Sequence, residues 1–491
     1  MSPGLILITV LAYSAMLFAV VWITSRNADN ESYFIGNKSS RWYVVAYGMI
    51  GASLSGVTFM SVPGAVFTTQ FSYLQVVLGY LAGYAVIGTI LMPVYYKLNL
   101  TSIYSYLEQR FGNTSYKTGS LFFIISRVIG ASFRMYIVVN VLQTFVLDRM
   151  GIPFFVTVSV FILLILLYTY EGGVKTIVWT DTLQTTFMLL ALVFSVITIC
   201  NQMGLSFTDL IYKVNASDFS KVIVGDVKSP NYFWKNFLGG AAIAIAMTGL
   251  DQEMMQKNLS CKNIGEAKKN MFTFSLILVF VNLLFLVLGA VLCFYASQKG
   301  IAIDPSHTDN LFPGIALNNL GTLPALIFIL GLISAAYPSA DGALTALTTA
   351  FCFDFLGIQK NKTIGEAKRK KIRYMVHISF AVVLLLTIVL FRYINNDAVV
   401  RNVFRAASYT YGPLLGLYTF GFFTKWQVKD KWVWIVCLLS PIICYILNDY
   451  IPLWFDGYRV GFELLIINGL ITFGGLMCIR RPTLQTDINL H

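Results

Sequence analysis

Apolar stretches of about 20 residues recur along the whole chain, separated by short polar segments, and about that length of helix crosses the hydrocarbon core of a bilayer. Strand-like alternation is absent, so the stretches predict helices rather than a barrel. About thirteen candidate spans fall at 4–24, 42–67, 72–96, 119–147, 152–170, 175–200, 234–257, 270–297, 322–353, 371–392, 402–424, 431–448 and 459–480. The expected fold class is an all-α polytopic membrane protein, one domain over residues 1–491, with no soluble module. The first stretch, Leu5–Ile23, is too long for a signal-peptide core and lacks a basic leader, so it is expected to be a retained span. The longest outer loop, Gln202–Phe233, has the composition of a short amphipathic helix.

An odd number of spans places the termini on opposite sides. With the N-terminus outside, the inner segments hold roughly 23 of the 35 Lys and Arg residues and the outer loops about 9, as the positive-inside rule requires. The densest inner cluster contains Lys360, Lys362, Lys368, Arg369, Lys370, Lys371 and Arg373. A short string, Ile264-Gly265-Glu266-Ala267-Lys268, recurs as Ile364-Gly365-Glu366-Ala367-Lys368; both copies suit capped surface helices in inner loops, their likeness being one of composition.

Composition narrows the function classes. Hydrophobic residues make up 57% of the chain and charged residues 12%, about half the charge of a soluble domain. The net charge of +12 is accounted for by the inner loops, and no aromatic–basic patch points to nucleic acid. Seven cysteines (Cys200, Cys261, Cys293, Cys352, Cys437, Cys444 and Cys478) lie mostly in apolar spans without ligand spacing and read as small hydrophobes. His307, His377 and His491 are few and scattered, with no serine, cysteine or metal constellation beside them. Neither an enzyme nor a bound cofactor is expected.

Two spans are poor helices. The second carries Gly48, Gly51, Gly56 and Gly64, the hydroxyls of Ser53, Ser55, Thr58 and Ser61, and Pro63. Backbone released from a helix at bilayer depth needs protein, ion or water to satisfy it, and released carbonyls suit a hard cation such as sodium. Close packing of small residues between helices is the competing explanation. The seventh span, with Gly239-Gly240 and Thr248-Gly249-Leu250-Asp251-Gln252, lies five spans on, the spacing of paired discontinuous helices in an inverted repeat. Charges inside spans are costly and mark function. Asp181 lies early in the sixth span, Asp341 in the ninth, Arg127 and Arg134 on one face of the fourth, and Arg405 early in the eleventh. Either carboxylate can serve as a cation ligand or pair with an arginine. Arg134 can meet an anionic solute or pair with Asp341.

At these residues the chain resembles the solute:sodium symporter family, which includes sodium-coupled glucose, proline, sialic acid, iodide and vitamin transporters. The likeness runs from Tyr33-Phe34-Ile35-Gly36 to Gly412-Pro413-Leu414-Leu415-Gly416. Its most specific segments are Phe59 to Pro63-Gly64, Met92-Pro93-Val94-Tyr95-Tyr96, Thr101 to Phe111, and Gly172-Gly173 through Trp179-Thr180-Asp181-Thr182-Leu183-Gln184. The resemblance implies a 5+5 inverted-repeat core of the LeuT type. Residues 4–24 would form an extra N-terminal helix, 42–200 the first repeat, 234–424 the second, and 431–480 two C-terminal helices. It places the N-terminus outside, the C-terminus inside, and the protein in the cell inner (plasma) membrane.

The resemblance also implies a main sodium site using the carbonyls of Gly51, Leu54 and Ala335 and two hydroxyls that fall on Pro338 and Ser339. Pro338 has no hydroxyl, though a proline frees a carbonyl one turn earlier. A second sodium in some members uses an aspartate matched by Asp181 and a position matched by Asp341. Two carboxylates facing one pocket repel, and either a sodium ion or a proton between them would relieve it. Sugar carriers place a carboxylate, an asparagine and an indole where this chain has Val57, Ala244 and Thr248, which argues against a hexose. The segments 101–111 and 179–184 look closest to the branch carrying iodide, monocarboxylates and vitamins. The expected solute is therefore a small organic anion bound by Ser53, Ser55, Thr58, Arg134, Met247 and Thr248, with Phe59, Phe67, Tyr80 and Tyr84 as lids. Expected partners are that solute, Na+ as the coupling ion and the bilayer, with no nucleic acid and no obligate protein partner. A sodium:sugar or amino-acid symporter, a sodium-independent facilitator (favoured by Pro338) and a membrane sensor are the competing readings.

Overall fold

The computed structural model describes residues 3–24, 34, 38–358, 365–394, 399–455 and 457–481; Tyr33, Ile35, Gly36, Lys360, Lys362, Ile364 and His491, named above, lie outside them. The described chain is almost entirely helical. Its principal helices are α1 (Pro3–Thr24), α2 (Trp42–Ser53), α3 (Gly56–Thr69), α4 (Tyr73–Val86), α5 (Asn113–Leu142), α6 (Phe154–Met203), α7 (Phe207–Asn215) and α8 (Phe233–Ala244). They continue as α9 (Gln252–Leu259), α10 (Ile264–Lys299), α11 (Leu311–Asn318), α12 (Thr322–Ala350), α13 (Glu366–Ile394), α14 (Val399–Phe423), α15 (Val433–Trp454) and α16 (Leu464–Cys478).

Among the described residues eight helical stretches are long and apolar enough to cross a membrane, and two shorter apolar helices cover Phe154–Thr169 and Leu464–Cys478. Two expected spans, the second and the seventh, are split. α2 stops at Ser53, Leu54 (φ −84°, ψ 92°) and Ser55 (φ −87°, ψ 179°) are extended, and α3 restarts at Gly56. The seventh span breaks in the same manner: α8 runs through a widened turn to Gly249, the chain extends at Asp251 (φ −104°, ψ 123°), and α9 begins. Asp251 caps α9 by accepting hydrogen bonds from the N–H groups of Glu253 and Met254 at 3.0 and 3.2 Å. Both discontinuities lie where the glycine and hydroxyl clusters place them.

The fifth and sixth stretches join into α6, a fifty-residue helix bent at Gly173 (φ +53°, ψ −150°), backbone that only glycine adopts readily. The segment Gln202–Phe233 does contain a short amphipathic helix, α7, closed by a capping box between Ser206 and Asp209. The string at Ile264–Lys268 is a correction: it is the opening turn of α10, capped by Asn263, rather than a surface helix of its own. In the second copy, Glu366 likewise opens α13.

Packing brings the two discontinuous spans into one core. α2 lies along α6, α4 along α8, α6 against α12, and α9 touches α2, α6 and α12 together. Around this core α13 exposes Met375, Ile378, Val382, Leu386 and Leu390 on one side while burying His377, Ala381, Leu384 and Ile388 on the other, the stripe of a helix with one lipid-facing face. Phe59 is fully buried, its ring 5.3–6.1 Å from those of Phe285, Phe312 and Phe328. Core packing, not gating, is what that aromatic does in this structure.

Candidate functional site

The break in the second span opens onto a cavity of about 760 Å³, counting the part open to solvent. All six residues expected to meet the solute line it: Ser53, Ser55 and Thr58 from the break and the first turn of α3, Arg134 from α5, Met247 and Thr248 from the widened turn after α8. Val57 and Ala244 also line it, as do Tyr80 and Tyr84; Phe59 and Phe67 do not. A side chain at Gly56 would run into Val138 and the Arg134 carbonyl, so the glycine lets α3 start directly against the turn of α5 that carries Arg134. The N–H groups of α3's first turn have no intrahelical partners and carry the positive end of its dipole. Arg134 is half-buried, and among the described residues no carboxylate lies within ion-pair distance of it. The positive lining faces the cavity unspent.

The expected main sodium ligands lie beside this cavity. Leu54 lines it, and Gly51 sits in the last turn of α2, so close to α6 that a side chain there would strike the Thr185 hydroxyl. Carbonyls in that last turn are left outside the helical ladder when α2 stops. Ala335, Pro338 and Ser339 are buried on α12, and the Ser339 hydroxyl has no hydrogen-bond partner among the described residues. Pro338 lacks the N–H that would bond the Ser334 carbonyl, adding a released oxygen on the same helix. The Ser334 hydroxyl donates to the Tyr13 oxygen at 2.8 Å, and Ser14 and Tyr337 share a bond at 3.2 Å, which ties α1 to this part of α12.

Asp181 and Asp341 lead to residues that the sequence reading missed. Asp341 does not meet Arg134. Its carboxylate accepts from the Tyr168 hydroxyl at 2.7 Å and the Gly342 N–H at 2.6 Å, with Gln184 at 3.5 Å. Asp181 forms an ion pair with a lysine, Lys257 of α9, at 2.7 Å. Lys257 also donates to Glu253 at 3.0 Å. Glu253 in turn pairs with Arg127, whose second nitrogen lies 3.6 Å from Asp251, and Asp251 accepts from the Tyr411 hydroxyl at 2.7 Å. Glu253 packs where a side chain at Gly342 would stand, so the network spans α5, α6, α9, α12 and α14. Its ion-paired side chains are all at most 4% exposed.

The signal for this network was present in the sequence as Asp251, Glu253 and Lys257 within seven residues at the end of an apolar span, with Glu253 and Lys257 four apart on one helix face. It passes for a solvated helix end until α9 is seen folded inward. Arg405, by contrast, is exposed and takes no part.

Comparison with known proteins agrees with this geometry. The chain is 23% identical over 430 residues to the sodium/sialic acid symporter SiaT of Proteus mirabilis (strain HI4320), covering 84% of this chain and 83% of that one. It is 24% identical over 412 residues to the human sodium/iodide cotransporter, covering 80% and 61%. Its fold is similar to that of a Na+-coupled sialic acid symporter solved in a substrate-bound outward-open state, with a TM-score of 0.82, 19% identity, and coverage of 96% and 97%. The model of the sodium:solute symporter family matches residues 33–429. Broken helices around a polar cavity, released carbonyls beside it and a match over most of the chain lead to one conclusion: this chain belongs to the sodium:solute symporter family, integral membrane transporters that couple solute movement to Na+.

Proposed function

We propose that this symporter imports a small organic anion, a carboxylate, together with sodium, by alternating access in the cell inner membrane. The observation that carries the anion is Arg134: a guanidinium in the cavity wall, without an ion-paired acid among the described residues, beside the N-terminus of α3. A planar guanidinium presents two parallel donors to a carboxylate, and a helix N-terminus adds further N–H groups and a favourable dipole. Ser53, Ser55, Thr58 and Thr248 supply hydroxyls for the rest of the solute, and Met247 an apolar contact. The absence of a carboxylate at Val57 and of an aromatic ring at Thr248 disfavours a hexose. Relatives named for sialic acid and for iodide support an anion.

The proposed coupling ion binds the carbonyls of Gly51, Leu54 and Ala335 and the Ser339 hydroxyl, with a carbonyl released by Pro338 replacing the missing hydroxyl. Because this site bridges the second and ninth spans, sodium favours the form in which they are held together. Sodium and solute then strengthen each other's binding by the same factor. The proposed frame is thirteen spans, N-terminus outside and C-terminus inside, with inverted repeats at 42–200 and 234–424. The four-helix unit containing the second and seventh spans rocks against the rest around the fixed site, opening it inward.

The test is solute uptake into proteoliposomes with an imposed inward sodium gradient, screening sialic acid, pyruvate, pantothenate, iodide, proline and glucose. One organic acid is expected to accumulate only with sodium. Arg134→Ala should cut its uptake at least tenfold, with Arg134→Lys intermediate. If the best solute equilibrates as fast in potassium without being concentrated, the protein is a facilitator and Pro338 marks the lost ligand. Preference for glucose or proline would overturn the anion.

A further inference from the structure

The sixth span sets a problem of charge. Asp181 is fully buried, one helical face away from the broken end of α2: a side chain at Gly48 would touch its Cβ and one at Gly51 its backbone. A carboxylate at that depth needs a cation, and a bound sodium ion or a positively charged side chain are the two ways to provide one. The chain provides the second. Lys257 reaches from α9 to place its ammonium 2.7 Å from Asp181 and 3.0 Å from Glu253, with side-chain exposures of 3% or less on all three. The same ammonium attracts Asp341, while the two aspartates repel each other.

On the sodium-symport reading given above, we propose that Lys257 is a tethered cation that occupies the Asp181 pocket permanently, so that this carrier couples through a single sodium ion, at the α2–α12 site, and binds none at Asp181. Several features converge on this. An ammonium is a compact point charge on a flexible stem, close in kind to a monovalent ion. A sodium ligated by Asp181 would have to sit within a few ångströms of the lysine, where like charges in a poorly screened interior repel strongly. Asp341, which would complete a two-carboxylate pocket, already spends its oxygens on Tyr168 and Gly342. Four acids (Asp181, Asp251, Glu253 and Asp341) and two bases (Arg127 and Lys257) make up the cluster, so the lysine is half of its positive charge. Lys257 stands on α9, the half of the broken seventh span that follows Asp251, and reaches across to α6. The tether keeps a positive charge against Asp181 without taking up an ion.

The experiment counts sodium. Equilibrium binding of radioactive sodium to the purified full-length protein, with the Hill coefficient of sodium-activated uptake, is expected to give one ion per chain and a coefficient near one. Asp181→Asn should change sodium affinity less than about twofold, because its partner is the lysine. Lys257→Ala should create a second, weaker sodium site, and Lys257→Ala/Asp181→Ala should remove it again. Two ions bound by the unaltered protein would overturn the inference while leaving symport standing, and this count needs no variant to fold. A tenfold loss of sodium affinity in Asp181→Asn, or an unchanged count in a folded Lys257→Ala, would overturn it as well. No bound sodium and sodium-insensitive uptake would instead remove the symport reading on which it rests.

Discussion

Single side chains divide here by whether the fold has already satisfied them. Arg127 and Arg134 are seven residues apart on one helix and line one cavity, yet Arg127 is held by Glu253 and Asp251 whereas Arg134 has no acid within ion-pair distance among the described residues. The first is architecture and the second is available to a ligand. Ser339 belongs with the second group, since its buried hydroxyl has no partner among the described residues. An oxygen left without a donor at that depth is offset only when something binds it. Ser339→Ala is accordingly expected to raise the sodium concentration for half-maximal uptake about 5- to 30-fold, from the loss of roughly 1–2 kcal/mol of ligand interaction. Ser61→Ala, which removes another unpartnered buried hydroxyl on α3, serves as the control and should shift it less than about twofold. Equal effects of the two would detach Ser339 from the ion.

Elements obtain their shapes from where the helix is interrupted. The gap at Leu54–Ser55 frees carbonyls on one side and N–H groups on the other, so one break yields a cation-binding end and an anion-binding end. Asp251 performs three tasks at the second break, capping α9, accepting from Tyr411 and pairing with Arg127. The bend in α6 depends on Gly173, whose φ of +53° is strained for any residue with a Cβ. Gly173→Ala should lower stability by about 1–3 kcal/mol, read as an earlier thermal transition in detergent, while sodium affinity in the folded fraction stays unchanged. An undisturbed transition would mean that the bend does not require the glycine.

Across the whole molecule, the buried ionic network is the strongest constraint. It fastens α5, α6, α9, α12 and α14 to one another through side chains buried from solvent. Removing one member of such a network leaves charges without partners, which costs about 3–5 kcal/mol, more than the pair contributes by existing. Arg127→Met should therefore destabilise the protein by about that amount, and adding Glu253→Gln should recover part of it. Thermal stability of the single and double variants measures both, and an additive loss would place Arg127 and Glu253 in separate interactions.

The sequence by itself determined the membrane setting, the helical class and the position of both breaks. Each of these follows from local chemistry: unbroken apolar length, glycine and hydroxyl clusters, and the need of backbone in lipid to bond to itself. The resemblance to the family supplied the expected solute residues, Ser53, Ser55, Thr58, Arg134, Met247 and Thr248, and all six line the cavity. The pairing of charges was decided by the tertiary structure alone. Asp181 and Lys257 are 76 positions apart in sequence, and either could have faced water, a solute or a sodium ion. Arg134 and Asp341 were equally plausible partners until the rotation of α5 and α12 pointed one at the cavity and the other at Tyr168. Phe59, for which lid and packing were both open, was settled as core in the same way. Helix rotation and the folding inward of α9 are set by packing against neighbours far away in the chain, and no local pattern encodes which face a helix presents to a neighbour it has yet to meet.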